Sequence, residues 1–193
     1  MELRCAWVTK DPEYIEYHDK QWGRPVHDSR ELFAKLCLDG QQAGLSWITI
    51  LKRTKSYHRA YADFDPVRIA QFDEQDVERL MQDTGIIRNR LKVQSIIKNA
   101  RAYLALEAEG IDFVDYLWSF VGGAPIVHQR QGNGDIPATS PESDAMSKAL
   151  KKRGFTFVGS TICYAFMQAV GMVNDHLVTC PCHAECQQEP ARQ

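Results

Sequence analysis

The chain has 193 residues and a formal net charge of −2, with 44% hydrophobic and 25% charged residues. This composition is typical of a globular protein, long enough for one large domain or two small ones with a real core. Because the net charge is small, contact with a polyanion has to depend on local clusters of basic residues. No apolar run approaches the roughly 20 residues that span a bilayer, so we expect no membrane segment.

The six cysteines bear on the cellular compartment. Residues 1–7 lack the apolar core of a signal peptide. Cysteines without an export signal predict a cytoplasmic location, where reducing conditions leave thiols free or bound to metal.

Apolar residues recur with helical spacing along nearly the whole chain. Helices are predicted, in chain order, at residues 29–38, 46–62, from 65 onward, 73–81, 88–108, 112–121, 140–153 and 161–170, with Asn174 capping a last short one. Asp65-Pro66 and Ser140-Pro141 each place a capping side chain before a proline at the first helical position. The stretch 122–140 holds four glycines and two prolines, which predicts a loop with one short strand at Ile126-Val127. The pattern as a whole predicts an all-α fold.

Four potential metal ligands lie near the two ends of the chain: Cys5, His18, His176 and Cys180. Thiolate sulfur and imidazole nitrogen are ligands of structural Zn²⁺. His176 and Cys180 are four residues apart, so on a helix both would leave the same face, and a shared metal would join the two termini. The alternative is that all four are ordinary buried residues. Three further residues leave the exact ligand set open: Cys182, His183 and Cys186.

Aromatic residues are concentrated in the first quarter of the chain: Trp7, Tyr14, Tyr17, Trp22 and Trp47. Most aromatic side chains pack in a core. The surroundings of Tyr17 and Trp22 are strongly polar, however, and aromatic rings among polar residues can form a slot in which a flat cationic ring stacks. Both interpretations stay open at this point.

The segment 37–47 joins a carboxylate at a helix end to a polar, glycine-containing turn. Asp39-Gly40 can be a simple helix stop followed by a loop. A glycine-flanked turn also lets backbone approach a ligand closely. In contact with DNA, Gln42 could then fill the gap left by a displaced base and Leu45 could wedge between bases.

The segment 148–161 has the outline of a helix-hairpin-helix: a basic helix end with Lys152, a turn from Gly154 to Gly159, and a new helix. Turn glycines expose backbone N–H groups at a helix N-terminus, which suits a phosphate. A solvated helix end with an ordinary turn explains the pattern equally well. The segment 84–88 is a weaker rival for the hairpin.

Together these motifs resemble DNA-3-methyladenine glycosylase I, a constitutive bacterial family, over almost the whole chain. The motifs are Arg4-Cys5-Ala6-Trp7, Tyr17-His18-Asp19, Gln41-Gln42-Ala43-Gly44-Leu45-Ser46-Trp47, Gly85-Ile86-Ile87-Arg88, Gly154-Phe155-Thr156-Phe157-Val158-Gly159 and Val173-Asn174-Asp175-His176. The resemblance implies a helix-hairpin-helix glycosylase fold in one domain over residues 1–186. Its ends, 1–28 and 172–186, would be linked by one structural zinc, and 187–193 would be a disordered polar tail.

The resemblance also implies roles for the residues singled out above. The zinc ligands would be Cys5, His18, His176 and Cys180. The base slot would be formed by Trp7, Tyr14, Tyr17, Trp22 and Trp47, with Tyr17 and Trp47 nearest the base. The DNA contacts would be Gln42, Gly44, Leu45, Lys152, Gly154 and Gly159.

One departure from the family concerns Asp39, the expected catalytic carboxylate. The family has a glutamate that hydrogen-bonds the adenine edge at this position. Aspartate keeps the charge but shortens the reach by one methylene, and a bridging water can fill such a gap at modest cost.

The implied activity is base-excision repair of double-stranded alkylated DNA by a monomeric enzyme. The damaged nucleotide is flipped out of the duplex, and water then hydrolyses the N-glycosidic bond of N3-methyladenine, leaving an abasic site. No lysine lies in the turn 154–159, where a Schiff-base nucleophile would be expected, so we expect no strand cleavage. Asp175 is the rival catalytic group, although its position beside His176 favours a supporting or capping role.

Two other classes of protein remain open. A noncatalytic, zinc-stabilised DNA-binding module would use the same hairpin but would need no aromatic slot. A catalytic zinc hydrolase would need an open coordination position with bound water, and four protein ligands argue against it.

Overall fold

The computed structural model describes residues 3–189, and they are mostly helical. The helices are α1 (Pro12–Lys20), α2 (Ser29–Gln41), α3 (Trp47–Leu51), α4 (Thr54–Ala60), α5 (Pro66–Ile69), α6 (Glu74–Met81), α7 (Arg90–Ala108), α8 (Phe113–Trp118), α9 (Pro141–Lys152), α10 (Ser160–Ala169) and α11 (Cys182–Gln188). Short 3₁₀ turns cover Ala62–Phe64, Ser119–Val121 and Asn133–Asp135, and two strands are β1 (Ile126–Val127) and β2 (Val173–Asn174). None of the helices in the described range is long and apolar enough to cross a membrane.

Side-chain caps explain why several helices begin where the sequence predicts. The Asp65 carboxylate accepts a hydrogen bond from the Val67 backbone N–H, and Pro66 follows it at the first helical position. The Ser140 hydroxyl accepts from the Ser143 N–H in the same way. These contacts satisfy backbone donors that a helix start leaves unpaired. The predicted starts at these two sites are confirmed.

The predicted helix at 46–62 is wrong in its extent. The segment forms α3 and α4 with a turn between them, and it ends in three residues with positive φ, Ala62, Asp63 and Phe64. A left-handed conformation is costly for residues other than glycine. The Phe64 side chain is fully buried, so packing supports a conformation that the local sequence does not favour.

The C-terminal segment also differs from the prediction. Asn174 does not cap a helix but lies in β2, which pairs in parallel with β1 in the register Ile126 to Val173 and Val127 to Asn174. The fold is mostly helical, as predicted, and the predicted short strand at Ile126-Val127 is confirmed as β1. The predicted tail at 187–193 begins too early, because Gln187 and Gln188 belong to α11. Residues 190–193 lie outside the described residues.

Helix α2 lies at the centre of the fold and positions the functional segments. It packs against α7 and α10, with Leu32 and Leu36 fully buried between them. Its C-terminal end approaches the turn between α9 and α10 so closely that a Cβ on Gly40 would lie 3.0 Å from the Phe157 carbonyl oxygen. The predicted hairpin at 154–159 is thus held directly against the end of α2.

Candidate active site and metal centre

The four predicted metal ligands meet at one buried point. Cys5 Sγ lies 3.4 Å from His176 Nδ1, and Cys180 Sγ lies 3.8 Å from His176 Nδ1 and 3.7 Å from His18 Nε2. All four ligand atoms lie within 4.8 Å of one another. A tetrahedral Zn²⁺ with Zn–S of about 2.3 Å and Zn–N of about 2.05 Å separates sulfur from nitrogen by about 3.6 Å. The donor set and its spacing therefore fit zinc.

Hydrogen bonds orient both histidines toward this centre. His18 Nδ1 donates to the Asp19 carboxylate at 2.7 Å, and His176 Nε2 donates to the Trp22 carbonyl at 2.8 Å. Arg4 holds the Asp19 carboxylate in turn, with its Nη2 2.9 Å away. The ring nitrogen facing the cluster is then the unprotonated one, as metal ligation requires.

The cluster also stabilises a thiolate. Hydrogen bonds from the Cys182 and Cys5 thiols hold the pKa of the Cys180 thiol well below its usual range. The same hydrogen bond to Cys180, together with burial, raises the pKa of Cys5. A thiolate beside imidazole nitrogens is the form that binds zinc.

The sequence argument for His176 and Cys180 was wrong in one respect, since the segment between them is a turn and not a helix. Of the alternative ligands, His183 points away and donates from Nε2 to the His128 carbonyl at 2.7 Å. Cys182 forms a second, smaller group with His18 and Asp19. The four-residue cluster is the better donor set because it supplies two sulfur and two nitrogen atoms, all buried.

The predicted aromatic residues line one pocket of about 380 Å³ next to the metal centre. Trp7 lies at its inner edge, with ring centroids 5.2 Å from Tyr14 and 5.0 Å from Trp22. Tyr17 and Trp47 face each other at 5.5 Å. The rings thus form a continuous wall, as the aromatic slot interpretation expected, and the metal cluster lies directly behind it.

Asp39 is the buried carboxylate of this pocket. Its Oδ1 accepts a hydrogen bond from Lys35 Nζ at 3.0 Å, whereas its Oδ2 has no hydrogen-bond partner. Burial raises the pKa of Asp39, and the nearby Lys35 ammonium opposes that rise. The unpaired oxygen leaves the pocket able to bind one further donor or cation.

The loop predicted to contact DNA follows α2 directly. Gln42 lines the pocket and donates through Nε2 to the Leu45 carbonyl. Gly44 has φ +78°, a left-handed conformation that favours glycine. Leu45 is 37% exposed although it is large and apolar. The loop therefore presents an apolar tip beside the pocket mouth.

The turn between α9 and α10 has the predicted hairpin geometry. Gly154 adopts φ +93°, Phe157 φ +54°, and Gly159 is the N-cap of α10. Lys152 is exposed at the end of α9. Gly159 has no side chain to cap the first N–H groups of α10, and uncapped N–H groups at a helix start suit a phosphate.

Asp175 lies outside the pocket lining and is fully buried. Its carboxylate accepts from four side chains: His128, Arg130, Tyr164 and Gln168. Hydrogen bonds from Tyr164, Gln168 and Arg130 outweigh burial and lower the pKa of Asp175. A carboxylate so fully paired is suited to structural support, and it has no free oxygen for a reacting group.

Sequence reasoning missed several residues of the pocket wall: Lys35, Asn133, Ile136, Ala165 and Gln168. Lys35 could have been found, because it lies four residues before Asp39 on a predicted helix and so shares its face. The others come from distant segments and carry no local signal.

Similarity to known proteins covers almost the whole chain. The methyladenine glycosylase family model matches residues 7–183. The chain is 59% identical to DNA-3-methyladenine glycosylase 1 of Escherichia coli (strain K12) over 180 residues, which is 93% of this chain and 96% of that protein.

Solved structures give the same result. A crystal structure of 3-methyladenine DNA glycosylase I matches with a TM-score of 0.93 at 59% identity, covering 94% of this chain and 100% of that chain. The 3-methyladenine DNA glycosylase I of Staphylococcus aureus, a structure concerned with 3-methyladenine recognition, matches with a TM-score of 0.89 at 41% identity, covering 92% and 95%.

The fold is that of a DNA glycosylase. The chain belongs to the methyladenine glycosylase family, which confirms the resemblance found in its motifs.

Proposed function

We propose that this protein excises 3-methyladenine from alkylated double-stranded DNA, acting as a monomer in the cytoplasm. The chain belongs to a family of glycosidic-bond hydrolases, and its relatives are named for this base. One observation supports the proposal above all: the pocket combines facing rings, Tyr17 and Trp47, with a buried carboxylate, Asp39. Such a pocket suits a flat cation.

Discrimination depends on the charge of the lesion. N3-methylated adenine carries a delocalised positive charge in DNA, whereas ordinary adenine is neutral. Stacking on Tyr17 and Trp47 favours the cation by about 0.5–2 kcal/mol per ring, and Asp39 is the catalytic carboxylate whose charge attracts it. Trp7, Tyr14 and Trp22 complete the wall and exclude water.

The reaction needs little further assistance. Flipping the nucleotide out of the duplex costs a few kcal/mol and least for a damaged base. As the bond between the base and C1′ breaks, its electron pair neutralises the charge of the base. Water adds to C1′ and loses a proton, leaving an abasic site. The turn 154–159 has no lysine, so we propose hydrolysis without strand cleavage.

Two segments would hold the DNA. The turn from Gly154 to Gly159 and the neighbouring Lys152 would bind phosphates through backbone N–H groups and a charge. Gln42 and Leu45, on the loop shaped by Gly44, would occupy the gap left by the flipped nucleotide. The exposed apolar tip of that loop supports this role.

We propose that one Zn²⁺ is bound by Cys5, His18, His176 and Cys180. With four protein ligands the ion has no open position for water, so its role is structural. It would join the N-terminal segment that carries Trp7 and Tyr17 to the C-terminal segment.

The test is release of 3-methyladenine from alkylated DNA by the purified protein, with the base and the abasic site measured separately. We expect one abasic site for each base released and no strand cleavage. Binding of DNA without base release would show a noncatalytic DNA-binding module instead. Strand cleavage at the abasic site would contradict the hydrolytic mechanism.

A further inference from the structure

The base pocket contains a cation of its own. Lys35 Nζ lies 3.3 Å from the centre of the Trp47 ring and 5.4 Å from that of Tyr17, while its ammonium donates to Asp39. This is the face of Trp47 on which a flat base would stack. The ammonium therefore occupies part of the space that a cationic base would fill. It also makes contacts with Trp47 and Asp39 that the base would make.

Lys35 also lines a second cavity, of about 370 Å³, next to the base pocket. The wall of this cavity carries three carboxylates: Asp28, Glu31 and Asp63. Glu31 precedes Lys35 by four residues on α2, and Asp39 follows it by four. Both spacings place a carboxylate within reach of a helical lysine, and a glutamate on the N-terminal side is the favoured orientation. Lys35 thus pairs with Asp39 in the base pocket and has a second carboxylate at helical spacing in the other cavity.

We propose that Lys35 is a resident cation of the base pocket, which moves from Asp39 to Glu31 when the methylated base enters and returns to Asp39 after the bond is broken. This inference rests on the proposed function. Its consequence is faster product release, because the ammonium competes with the free base for Asp39 and Trp47.

The base loses its positive charge in the reaction, and this loss explains when Lys35 leaves Asp39 and when it returns. The base enters as a cation, so Asp39 exchanges one cation for another and stays paired. Breaking the bond to C1′ transfers an electron pair to the base, which becomes neutral, while water adds to the sugar and releases a proton. Asp39 is then buried without a cation, a costly state. The return of Lys35 restores the pair and leaves no room for the base.

The first experiment compares Lys35→Met with the wild type in single-turnover excision, in multiple turnover, and in inhibition by free 3-methyladenine. Single-turnover excision measures the steps up to bond cleavage, so a change in product release appears only in multiple turnover. The inhibition constant for the free base should fall about tenfold, the scale of one desolvated charge contact, and multiple turnover should show a burst followed by a slow phase. Lys55→Met, the same change at an exposed lysine of α4, should alter none of these.

The second experiment tests whether Lys35 pairs with Glu31 when the base is bound. Glu31→Gln should weaken binding of the free base about twofold, opposite in sign to Lys35→Met, because the displaced ammonium loses a partner. In the Lys35→Met background the same change should have no effect. Glu142→Gln, an acidic residue in the first turn of α9, is the matched control for the loss of charge at a helix start.

The outcomes separate this inference from the function on which it depends. A wild-type protein that releases no base from alkylated DNA overturns the proposed function. If the wild type is active but Lys35→Met binds free 3-methyladenine equally or less well, Lys35 does not compete with the base. A lower melting temperature without tighter product binding would mean a structural role, and would overturn the inference too.

Discussion

The short side chain of Asp39 is paired with Lys35, which lies one helical turn earlier. An aspartate reaches less far into a pocket than a glutamate would, and a buried carboxylate is costly unless it is paired. Lys35, one turn earlier on α2, supplies the charge and fills the space beside Trp47. Only one of the two carboxylate oxygens is satisfied in this way. The free oxygen is what makes Asp39, and not Asp175, the expected partner of the base.

We predict that Asp39→Asn weakens excision of the cationic base at least tenfold while DNA binding changes little, because only the lesion carries the positive charge. Asp39→Glu should preserve or improve excision, since the longer side chain reaches the base directly.

Asp175→Asn should instead lower stability by about 3–5 kcal/mol, because it leaves Arg130 without its buried partner. Single-turnover rates and melting curves on the three variants measure these effects.

The pH dependence of excision tests the assignment of Asp39 as the catalytic carboxylate. Burial raises the pKa of Asp39, so its charge is lost as the pH falls through a value above that of an ordinary aspartate. Excision should decline over that range in the wild type, and Asp39→Asn should lack this decline. An Asp175→Asn protein that is folded and zinc-loaded but inactive, with Asp39→Asn unaffected, would show that our assignment is wrong.

Among elements, the contact between α2 and the hairpin links base binding to DNA binding. A Cβ on Gly40 would lie only 3.0 Å from the Phe157 carbonyl oxygen, so glycine allows this close approach. Phe157 itself has a left-handed backbone. A strained residue packed against a helix has little freedom to move away. The pocket residue Asp39 and the proposed phosphate-binding turn are therefore held at a fixed separation.

Gly40→Ala should lower the free energy of unfolding by about 1–3 kcal/mol. Each kcal/mol should lower the melting temperature by roughly 2–4 °C. Displacement of the hairpin should also weaken binding to DNA. Gly134→Ala, at a position where a Cβ would meet nothing within 4 Å, is the control and should change neither. Equal melting temperatures for the two variants would mean that the hairpin adjusts freely.

The elements differ in how far the sequence predicts them. Helices α6 and α9 were predicted closely because their capping residues and apolar spacing act locally. The pairing of β1 with β2 depends on residues 47 apart in the chain, and nothing local signals it. The pocket aromatics could be singled out by type and surroundings, and the metal ligands by type alone. Their meeting depends on the fold, whereas the pairing of Lys35 with Asp39 follows from a spacing of four residues on one helix.

The whole molecule is closed by contacts between its two ends. The N-terminal segment supplies Cys5 and His18, and the C-terminal segment supplies His176 and Cys180. The aromatic wall lies on the same N-terminal segment, with the Trp22 ring centroid 4.6 Å from that of His176. Stability of the cysteine-histidine cluster and shape of the pocket are thus coupled.

Cys180→Ala should lose zinc and stability together, by more than about 4 kcal/mol, because loss of a structural metal is among the largest single effects. Metal analysis of the wild type should give one zinc per chain. Cys182→Ala should keep the metal and most of the stability. A Cys180→Ala protein with stoichiometric zinc and an unchanged melting temperature would assign the ligand to Cys182 or Cys186.

The joining of the two ends also has a consequence for biosynthesis. Translation produces Trp7, Tyr17 and the first two ligands early, whereas His176 follows His18 by 158 residues. Until then the N-terminal segment lacks the contacts that His176 and Cys180 make with Cys5 and His18. A nascent chain can form its central helices during synthesis, yet the proposed metal site that joins its ends is completed only after Cys180 has been made.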